Sequence, residues 1–302
     1  MASEFELIRR LAARLGDGAP EGAIGIGDDA AAVPWGEGWL LLTCDIAVEG
    51  RHFQPGAMDT ANVSDIVACG GEPRHALISL GVPLGTGDAR LDELYDGIGE
   101  AAAAYGFAVL GGNVSRSVEL IVDVFMTGTT QRFVPRGGAQ PGERVAVSGT
   151  LGGSAAGLEL LGREPRNEVE RLLLQRHCRP RARTDLSETL SESASAAIDI
   201  SDGLSSELHH LARASGVRLE IDPARIPCLS ALREWAEARG EDPLERALHG
   251  GEEYEILCAY PPERDALFAE AGFTAIGEVG TGEGVFLGGQ PLAAKGWDHL
   301  AE

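Results

Sequence analysis

The chain has 302 residues, of which 44% are hydrophobic and 24% charged, and its formal net charge is −22. This balance is typical of a globular protein long enough for two domains. The negative charge argues against a nucleic-acid partner, because most of the surface would repel a phosphate backbone. Acids and arginines interrupt the apolar residues of 1–15, which predicts an amphipathic helix rather than a signal peptide. No apolar run reaches the roughly 18–20 residues of a membrane span.

The cysteine and lysine content argues against several kinds of site. The five cysteines are scattered and never spaced as CxxC, which argues against a zinc site or a disulfide framework and favours the cytoplasm. Lys295 is the only lysine, so the chain lacks both the GxxxxGK[ST] phosphate-binding loop and the strand lysine of protein kinases. If so acidic a chain binds ATP, divalent cations are the obvious intermediaries.

Hydrophobic periodicity predicts helices and strands that alternate along the chain. The predicted helices are 5–15, 91–105, 167–177, 202–214 and 229–239, with a further short helix around Asp65. The predicted strands are 39–45, 76–82, 107–110, 120–127, 144–148, 196–200, 217–221, 254–259 and 285–287. This alternation favours an α/β fold with mixed layers in both halves. The segment 135–142, rich in Gly and Pro, predicts a domain boundary that divides the chain into residues 1–138 and 139–302.

Acids in three segments of the first half are candidate metal ligands. Asp28 and Asp29 follow a glycine, and a simple turn explains them as well as a cation does. Asp45 comes after an apolar run, and an acid where a buried strand emerges is a common ligand position in α/β proteins. Asp65 has apolar neighbours that suggest burial rather than a solvated helix surface, and a buried acid needs a partner such as a cation.

The segment Asp199-Ile200-Ser201-Asp202-Gly203-Leu204 is the sharpest local signal. We expect Asp199 to close a strand, Ser201 to lie in the turn, and Asp202 to cap the next helix. Capping leaves Asp199 without a role, whereas two carboxylates around a tight turn can converge on magnesium, which also takes phosphate oxygens as ligands.

Two glycine-rich stretches, 111–117 and 148–158, are predicted to follow a strand and to open a helix, respectively. Backbone amides at such positions can bind phosphate without lysine, although tight packing explains the second stretch equally well. Near the C-terminus, Trp297 can either stack on a flat ligand or pack a loose tail onto the body.

In order and spacing, nine motifs together resemble thiamine-monophosphate kinase, a family of the aminoimidazole-ribonucleotide synthetase and selenophosphate synthetase superfamily. The resemblance runs from about Ile26 to Leu300 and rests on GDDAAAV, TCDIAVEGRHF, NVSDIVACGGEP, GGNVSRS, RGGAQPGE, VSGTLGGSAAGL, DISDGL, GGEEYEIL and GWDHL.

The resemblance implies a two-domain fold, with an N-terminal domain that dimerises through its strands and a C-terminal α/β domain. It implies transfer of the γ-phosphoryl group of ATP to thiamine monophosphate, with Asp45, Asp199 and Asp202 as the catalytic acids. Several magnesium ions would be held by Asp28, Thr43, Asp45, Asp65, Asn113, Asp199 and Asp202. ATP would lie at Tyr105, Gly112, Asn113, Arg136 and Ser201, and thiamine monophosphate at His52, Glu252 and Trp297.

Two positions depart from the family pattern. Asn113 stands where many members have aspartate, which makes one implied metal ligand neutral, and Glu253 replaces an aspartate beside the retained Glu252. The alternatives are a related transferase with another acceptor, or a non-catalytic binder of nucleotide or thiamine phosphate. No cysteine precedes Cys44 and the chain ends in Glu302, which disfavours selenophosphate synthetase and the carbamoyl-dehydrating maturation protein. The many aspartates disfavour a mere binder.

Overall fold

Two mixed β-sheets, one from each half of the chain, organise the computed structural model, which describes residues 4–15, 20–53 and 60–297. The first half contains α1 (Glu4–Leu15), β1 (Ala31–Trp35), β2 (Gly38–Val48), α2 (Ala61–Ala68), β3 (Glu72–Pro83), α3 (Asp88–Tyr105), β4 (Ala108–Ser117) and β5 (Ile121–Thr130). The strands of the second half are β6 (Arg144–Ser148), β7 (Ala196–Asp199), β8 (Arg218–Ile221), β9 (Ile256–Tyr260), β10 (Phe273–Gly280), β11 (Gly284–Leu287) and β12 (Gln290–Pro291). Its helices are α4 (Gly153–Leu158), α5 (Glu168–Cys178), α6 (Ser187–Ser193), α7 (Leu204–Ser215), α8 (Ser230–Glu237), α9 (Pro243–His249) and α10 (Asp265–Glu270).

The first sheet has the strand order β1-β2-β5-β3-β4. All neighbours are antiparallel except β3 and β4, which run parallel. Strand β4 lies at the edge, and nearly all of its residues are exposed. Its outer backbone groups therefore face away from the described sheet, which is the usual state of an edge that can pair with another strand.

The second sheet has the order β12-β11-β8-β10-β6-β9-β7 and is antiparallel apart from the β8–β11 pair. Strands β6 and β9 are apolar and almost wholly buried. Helix α7 packs on this sheet through Leu204, Leu208 and Leu211, which are fully buried and recur at helical spacing. The strand end at Asp199 and the start of α7 are thereby held by one core.

Helix α2 joins the two halves. Its residues Ile66 and Val67 are fully buried in a cluster that also contains Phe268 and Tyr260 from the second half. The helix packs against β2 and β5 of the first sheet and against β7 of the second. This position brings Asp65 on α2 towards Asp199 at the end of β7.

The structure confirms the predicted helices and strands as elements, with shifted ends, and corrects three details. The predicted strand 107–110 is too short, because β4 continues to Ser117 through the glycines that were expected to form a loop. Asp45 lies inside β2, which runs on to Val48, rather than at a strand end. Strands β1, β10 and β12 and helices α6, α9 and α10 were not predicted. None of the helices in the described ranges combines the length and the apolar composition that a membrane span requires.

Candidate active site

A group of aspartates lies where the two halves meet, together with Arg136; Asp199 is buried, and Asp28, Asp29, Asp45 and Asp65 are half-buried. The Asp28 carboxylate accepts hydrogen bonds from the backbone N–H groups of Asp29 (3.0 Å) and Arg136 (3.0 and 3.2 Å). The guanidinium of Arg136 pairs with Asp29. These contacts connect the segment before β1 with the segment that links the two sheets, 108 residues further along the chain.

The remaining acids of this aspartate cluster come from β2, α2 and β7. The hydroxyl of Thr43 donates to the Asp65 carboxylate at 2.6 Å. Burial raises the pKa of Asp65 well above its usual range, and the nearby carboxylates of Asp45 and Asp199 raise it further. Burial, reinforced by the Asp29 carboxylate, raises the pKa of Asp199 to about 8. The acids therefore repel one another, and burial penalises their ionised forms.

The aspartate cluster contains carboxylate oxygens that none of the described residues satisfies. The Oδ2 atoms of Asp29 and Asp199 are buried, and neither accepts a hydrogen bond from any residue in the described ranges. A buried, ionised carboxylate is stable only when paired or bound to a cation. Oxygen-only donors of this kind suit magnesium, so the residues present fit the metal that the sequence predicted. The thiol of Cys69 lies within 4.8 Å of Asp28 and Asp29, but sulfur is a poor magnesium ligand.

The turn after β7 differs from its prediction in one respect. Asp202 does not cap α7, because the N-cap residue is Gly203, with φ at 130°. A Cβ at Gly203 would come within 2.9 Å of the His249 backbone, so glycine is required by both conformation and space. The backbone N–H of Asp202 instead donates to the carboxylate of Glu207 at 2.9 Å.

Glu207 is a site residue that sequence reasoning missed. Its side chain is buried, and burial, together with the Asp202 carboxylate, raises its pKa well above the usual range. The available signal was its place on the first turn of α7, on the same face as the buried leucines. Asp29 was recognised as part of a motif but received no role, since its pairing with Arg136 depends on a long-range contact.

Two of the predicted acceptor residues flank the turn that carries Ser201 and Asp202. The backbone N–H of Glu252 donates to the Ser201 carbonyl at 2.6 Å, and the N–H of Trp297 donates to the Asp202 carbonyl at 3.2 Å. The Glu252 side chain is 43% exposed and Trp297 is 60% exposed. The backbone of the tail is thus attached while the indole is available to a ligand. Residues 298–302, the end of the predicted GWDHL motif, lie outside the described residues.

His52 follows β2, and its Nδ1 accepts a hydrogen bond from the backbone N–H of Val48 at 3.0 Å. This contact fixes the ring next to the strand that carries Thr43 and Asp45. Residues 54–59, which follow His52, lie outside the described residues.

Gly112 and Asn113 lie in β4 rather than in a phosphate-binding loop, which corrects the prediction. Asn113 pairs with Ser79, and Ser79 pairs with Asp123. Side chains alternate between sheet faces, so this row lies on the face opposite to that of Asp45, whose partner is Val124. The structure does not bring the Asn113 amide to the aspartate cluster, and its role as a metal ligand stays a prediction.

Tyr105 ends α3, and its hydroxyl accepts a hydrogen bond from the backbone N–H of Ala182 at 3.2 Å. A Cβ at Gly112 would lie 1.7 Å from the Ile78 carbonyl oxygen, so the close approach of β3 and β4 requires a glycine there.

The second glycine-rich stretch is explained by packing. A Cβ at Gly152 would come within 2.4 Å of Leu232, and one at Gly157 within 2.1 Å of the Leu173 carbonyl. The backbone N–H of Ser154, in the first turn of α4, donates to the buried carboxylate of Glu253 at 2.9 Å. The α4 N-terminus therefore binds a side chain of the protein itself.

Two family models match the chain and divide it as the two sheets do. The AIR synthase related protein N-terminal domain matches residues 27–130, and the AIR synthase related protein C-terminal domain matches residues 140–289. Fold and sequence together define the class: this is a two-domain AIR synthase-related protein with an acidic site between its halves.

Individual relatives identify the family within this class. The chain is 43% identical to the thiamine-monophosphate kinase of Aquifex aeolicus over 91% of its length and 92% of that protein. It is 35% identical to the Escherichia coli K12 thiamine-monophosphate kinase, over 99% and 98% of the two chains. A solved structure described as AaThiL complexed with AMPPCP and TMP superposes with a TM-score of 0.92 and 42% identity, covering 99% of this chain and 97% of that one. The chain belongs to the thiamine-monophosphate kinase family.

Proposed function

We propose that the protein transfers the γ-phosphoryl group of ATP directly to the phosphate of thiamine monophosphate, giving thiamine diphosphate and ADP. The observation that carries this proposal is the aspartate cluster with its unsatisfied Oδ2 atoms on Asp29 and Asp199. A relative with 42% identity binds the ATP analogue AMPPCP and TMP over the same fold. Both substrates are polyanions, so a site built from carboxylates can bind them only through cations.

We assign the role of holding magnesium to Asp28, Thr43, Asp45, Asp65, Asp199 and Asp202. When bound, the ions would neutralise the charge that two phosphate groups bring together. Arg136, paired with Asp29, adds the one fixed positive charge of the cluster.

The chain itself has little proton chemistry to perform. The acceptor is a phosphate monoester whose second pKa is about 6, so it is largely ionised at neutral pH and requires no general base. The protein contributes position and electrostatics, which are the main requirements of phosphoryl transfer. This agrees with an aspartate-rich site in which no Ser-His-Asp or Cys-His arrangement was predicted.

We assign the acceptor to the side of the turn formed by Glu252 and Trp297. The exposed indole of Trp297 suits stacking on the acceptor's aromatic rings, and the Glu252 carboxylate suits its cationic thiazolium. His52 is the third proposed acceptor residue. We further propose Asp45, Asp199 and Asp202 as the catalytic acids. ATP is assigned to Tyr105, Gly112, Asn113, Arg136 and Ser201.

We further propose a cytoplasmic homodimer built on domains 1–138 and 139–302. The open face of the first sheet exposes Ile46 (59%), Leu77 (45%) and Phe125 (37%), beside the unpaired edge of β4. Exposed apolar residues next to an unpaired edge favour association with a second strand or sheet. A second copy of the chain would cover both features.

The direct test is to mix the protein with ATP, magnesium and thiamine monophosphate and to measure thiamine diphosphate and ADP. We expect both products in equal amounts. Asp92→Asn, a change at an exposed acid of α3, is the matched control for changes in the aspartate cluster and should leave the rate unaltered. Binding of both substrates without product would contradict the proposal and favour a non-catalytic binder.

A further inference from the structure

The turn before β9 is strained. Glu252 and Tyr254 are the two non-glycine residues in the described ranges with positive φ, at 58° and 51°. Such conformations persist only where the surrounding structure holds them, and they cluster at functional sites. The N–H groups of Glu252 and Tyr254 donate to the carbonyls of Ser201 (2.6 Å) and Ile200 (2.9 Å). The turn that presents Glu252 therefore also fixes the strand end that carries Asp199.

A buried ionic cluster holds the middle of this turn. Glu253 is 1% exposed, and its carboxylate accepts the backbone N–H of Ser154 and lies 3.4 Å from Nε of Arg176. Nη2 of Arg176 donates to the Glu253 carbonyl at 3.2 Å and to the Glu255 carboxylate at 2.8 Å. Arg176 thus contacts the Glu253 carbonyl, the Glu253 carboxylate and the carboxylate of Glu255, which is the residue that follows the turn.

The next residue of α5 reaches Glu252 itself. Nδ1 of His177 lies 3.3 Å from Oε2 of Glu252 and 3.0 Å from the hydroxyl of Ser154. The His177 side chain is 12% exposed, whereas that of Glu252 is 43% exposed. Two consecutive residues of α5, Arg176 and His177, therefore contact two consecutive residues of the turn, Glu253 and Glu252, respectively.

We propose that Arg176 and His177 are positioning residues for the acceptor: they hold the strained turn so that the Glu252 carboxylate meets the cationic ring of thiamine monophosphate. This inference rests on the proposed function. Neither residue needs to touch the substrate, because each acts through Glu252 or through the backbone on either side of it. A structural role alone would leave the preference for the acceptor unchanged when either residue is replaced.

The test compares Arg176→Gln with Arg144→Gln. Arg144 also pairs with two carboxylates, those of Asp265 and Glu278, on another part of the second sheet. We expect Arg176→Gln to raise the KM for thiamine monophosphate roughly tenfold, with a smaller change in the KM for ATP. Amide hydrogen exchange at residues 252–254 should become faster in Arg176→Gln and stay unchanged in Arg144→Gln. Arg176→Lys should restore part of the acceptor affinity.

His177→Ala provides a second variant if Arg176→Gln does not fold, and the same selective rise in the acceptor KM is expected. Equal changes in both KM values, or unchanged exchange at residues 252–254 with an unchanged acceptor KM, would overturn the inference while wild-type turnover still supports the proposed function. Failure of the wild-type protein to form thiamine diphosphate would instead overturn the proposed function, and exchange at the turn would still report whether Arg176 holds it.

Discussion

Two buried groups of acids in this protein differ in how their charge is compensated. In the aspartate cluster, Arg136 faces several carboxylates, and the Oδ2 atoms of Asp29 and Asp199 accept no hydrogen bond within the described ranges. Around Glu255, each carboxylate oxygen has a donor: Arg176 at 2.8 Å, Arg183 at 2.7 Å and the Ser148 hydroxyl at 2.5 Å.

We take this difference to separate the proposed ligand site from a structural ion pair. Burial also acts on the paired group, since it raises the pKa of Glu253 to about 7 despite the nearby Arg176. A raised pKa therefore does not distinguish the two groups, whereas the supply of partners does. Buried ion pairs are stable without a ligand when all their polar atoms have hydrogen-bond partners. The aspartate cluster requires a cation from outside the chain to reach the same state.

Removal of divalent cations should have the largest effect. In excess chelator we expect turnover to vanish, because the aspartates and both substrates are anionic, and to return when magnesium or manganese is added. Production of thiamine diphosphate from ATP is the measurement. Full turnover in chelator would show that the unsatisfied carboxylates are not a metal site.

Asp199→Asn and Asp202→Asn should each lower turnover by about two orders of magnitude or more, with the fold intact. Removal of a negative charge from a repelling cluster should keep or raise the melting temperature of the metal-free protein. Circular dichroism melts alongside the rate separate these effects. A near-normal rate at saturating magnesium for either variant would remove the turn from the metal site.

In the ionic cluster around Glu255, removal of a carboxylate charge should lower the stability of the fold, the opposite of the effect expected in the aspartate cluster. Glu255→Gln leaves the half-buried Arg176 and Arg183 with only Glu253 and Asp185 as countercharges, which should cost about 3 kcal/mol in the free energy of unfolding. Denaturant unfolding measures this loss. Glu278→Gln, at a carboxylate whose side chain is 67% exposed, is the matched control and should cost little. Equal losses in the two variants would remove the contrast between buried and exposed pairs.

Trp297→Ala should have a smaller effect, confined to the acceptor. Loss of an aromatic contact with the ligand should cost about 1–2 kcal/mol, which is roughly a tenfold rise in the KM for thiamine monophosphate. The KM for ATP and the melting temperature should change little, because the side chain is 60% exposed. A lower melting temperature with unchanged KM values would assign Trp297 a structural role instead.

Local sequence predicted much of this arrangement. The helices and strands follow from hydrophobic periods of 3.6 and 2, which depend only on neighbouring residues. The apolar neighbours of Asp65 correctly indicated that it faces the interior, since α2 is buried against both sheets. The turn at 199–203 was recognisable because its acids and glycine are adjacent in the chain.

What the sequence did not predict depends on contacts between distant segments. The pairing of Asp29 with Arg136 spans 107 residues, and the burial of Glu207 requires the packed face of α7. Glu253 looked unimportant beside Glu252, yet it anchors the turn to α4 and α5. The glycines of 111–112 suggested a loop because glycine usually marks one, whereas here a close approach to Ile78 requires glycine within a strand.

The proposed magnesium site is tested most directly by the melting temperature of the chelated protein across pH, with and without magnesium. The pKa of Asp199 rises from 3.8 to about 8 on folding, so without metal the folded state binds more protons than the unfolded state within this window. The contribution of Asp199 to stability should therefore fall as pH rises from 3.8 towards 8. Magnesium should reverse the fall, and Asp199→Asn should weaken both the fall and its reversal. A melting temperature that magnesium does not change, or changes equally in Asp199→Asn, would contradict the assignment of the aspartate cluster as the metal site.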